Sequence, residues 1–457
     1  MRLRRAALPV AVVLSSGACV SAAPAASSPA FSAPVSVPVD SPIELVSRDF
    51  DGDGVSDIAA VSFDSSSVSV LLGRGDGGFR RRVLSRTLPE PWDIASADVN
   101  TDGRPDLITA STGVRRRALA VLLNQGAGRF GLARVYRQRG GAEAVVTGDV
   151  NRDGATDLVA TDEYAPLSPT VLLGLGPGRF APAPASAARR TAEDLDLGDL
   201  NGDGEPDLAL VDQEALVIRL GNGDGTFAAA RSYEAGDSPR AVALADFNHD
   251  ERLDAVVASE SESEDPGSLA VFLGNGDGTF RARSNSAMNG GASAVVIADL
   301  NGDGHADLVT TEAVGNDFDE AGDPPAVRTG LGDGVFDPPH RLPGRSNEGG
   351  AVGDFNRDGR PDLAFVSAVG AHPERVDAYL NWTGLPAAPC VVHMLTHLRL
   401  HTAKRDLRSS GCRLGTVRYR RSRRARRNRV ISQRPASGSV LQGASPVDLL
   451  VGRGRRR

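Results

Sequence analysis

The chain has 457 residues, enough for a large core, and length alone suggests about three domains. Glycine is abundant with 52 residues, aromatics are 5%, and arginine far outnumbers lysine, a mark of a GC-rich genome rather than of function. The net charge of −7 hides two unlike parts: residues 390–457 carry 18 Lys and Arg against 2 Asp and Glu, and the preceding residues carry 33 against 56.

The N-terminus has a basic start (MRLRR), an apolar stretch and a run of small residues. Residues 1–22 therefore read as a secretory signal, cleaved after Ala22 or Ala23. Cys19 leaves a lipoprotein route open, although Ser16, Gly17 and Ala18 before it lack the usual aliphatic residue. The apolar run is shorter than the ~20 residues needed to span a bilayer, and no other segment could span one. Residues 23–30 read as a linker.

An acidic phrase of ten residues then recurs seven times, as in DFDGDGVSDI from Asp49 and DLNGDGEPDL from Asp199. The steps between copies are 49, 51, 50, 47, 53 and 55 residues. A fixed period near 50 marks one structural unit used repeatedly, and such units bury a core only by stacking. The phrase also carries hard oxygen donors at the spacing of a calcium loop, in which positions 1, 3, 5, 7 and 9 supply ligands and a glycine at 6 makes the turn. Position 1 is Asp49, Asp98, Asp149, Asp199, Asp246, Asp299 and Asp354. Position 3 is Asp51, then Asn100, Asn151, Asn201, Asn248, Asn301 and Asn356. Position 5 is Asp53, Asp102, Asp153, Asp203, Asp250, Asp303 and Asp358; position 9 is Asp57, Asp106, Asp157, Asp207, Asp254, Asp307 and Asp362. Position 7 would bind through the backbone carbonyls of Val55, Arg104, Ala155, Glu205, Arg252, His305 and Arg360. The bidentate Glu of an EF-hand and its flanking helices are missing, so a strand-loop-strand hairpin is expected to carry the same ligand geometry. Up to seven Ca²⁺ sites follow. The Asp246 loop is expected to be the weakest, because Glu251 replaces the glycine.

Each unit has a second signature: an apolar strand, a glycine-rich turn and an aromatic strand start. It ends at Phe79, Phe130, Phe180, Phe227, Phe280 and Phe336. Together the two signatures resemble the FG-GAP (or VCBS) repeat, the unit of integrin-α-like β-propellers. The resemblance covers residues 31–383 and implies a mainly β fold, a seven-bladed propeller of four-stranded antiparallel blades with calcium in the hairpins. The seventh phrase is followed by DAYLN at Asn381 but by no Phe-led strand. FSAPVSVPV from Phe31 is expected to supply that outer strand and close the ring.

In a four-stranded meander, loops 1–2 and 3–4 share one face. The acidic phrases and glycine turns therefore fall together. The opposite face collects the variable loops Asp162–Pro169, Ser259–Gly267, Glu312–Pro325 and Ser367–Arg375, with Trp92, Tyr164 and His372 as candidate ligand contacts. There is no G-x-S-x-G and no H-E-x-x-H, and no catalytic residue is assigned. Paired carboxylates could hydrolyse a glycoside, but too many acids are present to choose a pair.

After a linker at 384–389, residues 390–454 resemble a PASTA domain, one short helix against three strands, followed by a basic tail at 455–457. The resemblance rests on a helix Leu400–Leu407, Gly415-Thr-Val417, Val430-Ile-Ser-Gln433, Pro435, Gly438, Gly443 and Val447–Val451. It implies binding to peptidoglycan or a related wall polymer. His393 and His397 stand where the family usually has Pro and Gly. With His401 they are spaced four apart, a metal stripe only if all lay on one helix; the alignment puts the first two before it. Cys390 and Cys412 bracket the helix in an exported chain and read as a disulfide, contributing on the order of 3 kcal/mol for a loop of about 20 residues. The run Arg420–Arg429 is a solvated loop or an attractor for anionic wall polymers or lipid headgroups; export argues against a nuclear signal, and no nucleic-acid partner is expected. The sequence-level reading is a secreted, monomeric, non-enzymatic adhesion module at a bacterial surface. A glycan-binding lectin and a polysaccharide-degrading enzyme are the alternatives.

Overall fold

The computed structural model describes residues 28–80, 82–112, 118–138, 141–161, 169–184, 192–260, 267–281, 284–288, 291–313, 324–344, 349–367, 375–383, 390–391, 395–396, 398–409, 413–420, 429–434, 440–441 and 446–452. They form two compact units, one built on Val35–Ala378 and one on Tyr379–Arg457 with the segment before Val35.

The first unit is a repeat of one motif. After each acidic phrase an apolar run such as DIAAVS or DAVVAS forms a strand buried along its whole length. A continuous apolar run suits a strand covered on both faces. In the first sheet the strands are Pro42–Arg48, Asp57–Ser62, Ser67–Leu71 and Val83–Arg86, paired in sequence order and antiparallel. Further sheets of the same order begin at Pro91, Val145, Asp194, Pro239 and Gly291. The last combines Gly350–Gly353, Asp362–Ser367 and Arg375–Tyr379 with Val35–Pro38 from the other end of the chain. Val35 pairs with Ala378 and Pro38 with Arg375, antiparallel. The strand expected from FSAPVSVPV thus completes this sheet, starting at Val35. Among the described residues there are seven four-stranded sheets, and their first strands neighbour one another in cyclic order back to the first. The arrangement is that of a β-propeller.

Neighbouring sheets interlock through the two sequence signatures. The residue at position 2 of a phrase presents its carbonyl to the glycine turn of an adjacent sheet. Gly128 N–H donates to Phe50 O, Gly178 to Val99 O, Gly225 to Val150 O, Gly278 to Leu200 O, Gly334 to Phe247 O and Gly77 to Phe355 O. The turn glycines need their identity twice over. Gly278 has φ 73, and a Cβ on it would collide with Leu220 of the preceding sheet. Aromatic pairs reinforce the same joints: Phe50 with Phe130, Phe355 with Phe79 and Phe247 with Phe336 meet edge to face at 5.6–5.7 Å.

In the second unit, Phe31 bridges Asn381, and Trp382 N–H donates to Ala30 O. The helix Leu400–Ser409 runs two residues past the expected Leu407. The strands Arg413–Arg420 and Val430–Arg434 flank Pro446–Gly452, the first parallel to it and the second antiparallel. Leu395, Ala403, Leu407, Val430, Val447, Leu449 and Val451 form its core. Residues 1–22, Cys412, His393, His397 and nearly all of the basic run lie outside the described residues, as does the proposed disulfide.

Candidate metal centre

Each acidic phrase joins the first and second strands of its sheet, and it is curled by its own side chains. Asp49 Oδ1 accepts from Gly52 N–H at 2.7 Å and Oδ2 from Gly54 N–H at 2.7 Å. Asp51 Oδ1 accepts from Asp53 N–H at 3.2 Å, and Asp53 Oδ1 from Val55 N–H at 3.0 Å. All seven copies repeat the last three of these bonds, with Asn100, Asn151, Asn201, Asn248, Asn301 and Asn356 accepting at position 3, and the fourth and sixth also repeat the bond from position 4. Amides that would otherwise face outward are thereby tied to the acids, and the loop is held curled around its oxygens.

The donors fit a hard divalent ion. One oxygen each from Asp49, Asp51 and Asp57 falls within a common 4.8 Å. Carboxylates and amide carbonyls on a curved backbone are the ligands such ions take. In the first loop Arg80 Nη2 lies 3.3 Å and Arg357 Nη2 3.4 Å from Asp53, so guanidinium groups share its charge.

The position-9 aspartates have a second task that spacing did not reveal. Asp57 is fully buried and accepts from Phe50 N–H at 2.8 Å and Gly73 N–H at 2.7 Å. It ties the phrase to the glycine turn of its own sheet. Asp106, Asp157, Asp207, Asp254 and Asp307 repeat both bonds, and Asp362 accepts from Phe355 N–H. Burial pushes Asp57 and Asp307 up to about 7 and Asp106 and Asp254 up to about 6, against the pull of the two amides. A cation in the loop would counter that burial penalty.

Glu251 keeps the loop conformation at a cost. Its φ is 64, and its N–H still donates to Asp246 Oδ2 at 2.9 Å. A side chain in this left-handed region carries roughly 1–2 kcal/mol of strain. Position 4 also takes positive φ, at Thr101, Arg152, His249 and Arg357. Three of these four reach the next phrase round the ring, a role the sequence reading missed; its signal is that position 4 is Gly, Thr or a long polar residue.

On the opposite face the described residues are the sheet ends. Trp92 meets Phe63 edge to face at 5.4 Å, and among the described residues its indole N–H has no hydrogen-bond partner. Arg240 pairs with Glu193 at 3.1 Å and Glu260 at 3.0 Å. Tyr164, His372 and most of the variable loops lie outside the described residues. Asp93 is buried and accepts from Val145 N–H of the next sheet at 2.7 Å. Burial pushes it up to about 8 from an ordinary 3.8. The folded chain then holds a proton that the unfolded chain releases. That contribution is full below 3.8 and is lost as pH rises through about 8. Asp93→Asn is expected to flatten the fall of stability across this window, as read by urea melts at several pH values; an unchanged slope would show that Asp93 ionises normally.

The stacked sheets and their hairpin loops define a repeat β-propeller. The FG-GAP-like repeat matches residues 49–109, 98–160, 149–210, 199–257 and 254–310 in overlapping copies, and the chain belongs to that family. Among curated proteins none matches. Of solved structures, BBS1N from its complex with ARL6DN is 13% identical with a TM-score of 0.51, over 77% of this chain and 96% of that one, a likeness of fold alone. An Agrocybe aegerita lectin that recognises non-reducing terminal N-acetylglucosamine is 22% identical, with a TM-score of 0.47 over 65% of this chain and 80% of that one. The V. cholerae biofilm matrix protein Bap1 is 14% identical, with a TM-score of 0.36 over 75% and 67%. These last two are too distant in shape to bear on function.

Proposed function

We propose that the chain is an exported, calcium-stabilised, seven-bladed propeller that serves as a binding or adhesion module at a bacterial surface. Its C-terminal PASTA-like unit is directed at the cell wall. The observation that carries the reading is the division of labour in the repeat. One face spends its loops on the same acids, amides and glycines in every sheet, while the other differs from sheet to sheet. Such a face builds scaffold, and the variable one meets ligand. Ca²⁺ would be held by the position 1, 3, 5 and 9 side chains and the position-7 carbonyl, with the convergence of Asp49, Asp51 and Asp57 in its support, and would supply charge neutralisation and stiffness to the loops. The basic 390–457 segment supports an anionic wall polymer as partner. Deleting residues 390–457 is expected to reduce sedimentation with purified wall by at least tenfold; unchanged sedimentation would remove the wall from the account.

A glycan ligand for the variable face is the second reading. It is favoured by the half-buried Trp92 ring, packed edge to face on Phe63 at the sheet end that carries the variable loops, an apolar platform of the kind sugars stack on. Capture on a glycan array that is lost in Trp92→Ala, with wall sedimentation retained, would favour it. Product release from glycans would instead indicate a polysaccharide-degrading enzyme.

A further inference from the structure

Position 4 of one phrase touches the next phrase at three joints among the described residues. Arg152 Nη1 lies 2.7 Å from Glu205 Oε1, and Arg357 Nη2 lies 3.4 Å from Asp53 Oδ1. Both joints match a cation with an anion. At the third, between the fifth and sixth sheets, His249 Nε2 faces His305 Nδ1 at 2.5 Å, with ring centroids 4.6 Å apart. Two imidazoles bring no complementary charge: nitrogens that face each other this way are joined either by one ring's N–H donating to the other's lone pair or by a cation that both lone pairs bind.

We propose that His249 and His305 form a site for a borderline divalent transition cation of the Zn²⁺ class, clamping the fifth and sixth sheets. Imidazole nitrogen suits zinc, copper and nickel, whereas calcium takes oxygen, so the site differs in kind from the acidic loops. A tetrahedral ion ~2.0–2.1 Å from each nitrogen sets the nitrogens ~3.3 Å apart, so the rings need part by less than about 1 Å. They have room to do so. His249 is exposed and His305 half-buried, on loops open to solvent. The His305 ring lies over Gly332, where a Cβ would collide with it, so it is held in place from below. Asp246, Asp250, Glu251, Asp299 and Asp303 in the two phrases add a negative field that draws cations in. Water completes the coordination.

The inference does not depend on calcium filling the loops. The test titrates Zn²⁺ into the full chain in excess calcium by calorimetry. One site of about micromolar affinity is expected, weakened at least tenfold in both His249→Ala and His305→Gln and unchanged in Arg152→Ala. If either histidine variant binds Zn²⁺ like the parent, or the parent takes up none there, the contact is a shared proton only and the proposal falls. The variants' calcium-loaded melts establish folding, and failure here would leave the calcium dependence of the parent melt intact.

Discussion

Asp157→Ala is expected to destabilise the chain by about 3–5 kcal/mol in the presence of chelator, where no metal can contribute. The carboxylate is fully buried and accepts from Val150 N–H at 2.9 Å and Gly174 N–H at 2.6 Å. Removing it strands two buried donors, at ~1–3 kcal/mol each, and leaves a small void. Asp153→Ala in the same loop is the contrast. Asp153 is exposed, and its Oδ1 accepts from Ala155 N–H at 2.8 Å. Its loss in chelator is expected to cost under ~1 kcal/mol and to appear mainly as a lost calcium site. Urea melts of the two variants separate hairpin tie from ligand. A cost for Asp157→Ala in chelator as small as that of Asp153→Ala, under ~1 kcal/mol, would mean that position 9 acts through metal alone.

Calcium removal is expected to have the largest effect of any single treatment. A site occupied at ten times its dissociation constant contributes about 1.4 kcal/mol, so seven loops together approach about 10 kcal/mol. That is the size of a whole domain's stability. Electrostatics act in the same direction. Residues 1–389 carry 56 acidic against 33 basic groups, and much of the excess is packed into the phrases. Without a cation the loops must hold those charges together by the amide bonds and arginines described above. The melting temperature is therefore expected to drop by more than ~10 °C on chelation, and to recover when calcium is restored.

Much of this fold was legible in the chain because a repeat states the same rule many times. The period set the number of hairpins, the pairing parity of a meander put phrase and glycine turn on one face, and the absence of a Phe-led strand after Asn381 pointed to the N-terminal segment. Val35–Pro38 lies in the sheet where that reasoning placed it. The joints between sheets were not legible. The Gly128 to Phe50 bond and the contact of His249 with His305 link residues of different repeats, and no local pattern encodes which neighbour a turn will meet. Position 9 was underread for another reason. An aspartate at ligand spacing looks the same whether it faces an ion or two backbone amides, and Asp57 is placed so that it can serve both. The variable face stayed least legible, since its loops share no motif that fixes their chemistry.

The central claim is that the repeated phrase binds metal. Equilibrium dialysis of the chain against radiolabelled calcium tests it most directly. Several calcium ions per chain are expected, up to seven, with one lost on Asp153→Ala and the Asp246 loop the last to fill. No bound calcium, together with equal melting temperatures in calcium and chelator, would contradict it and leave the phrases as amide-capped turns.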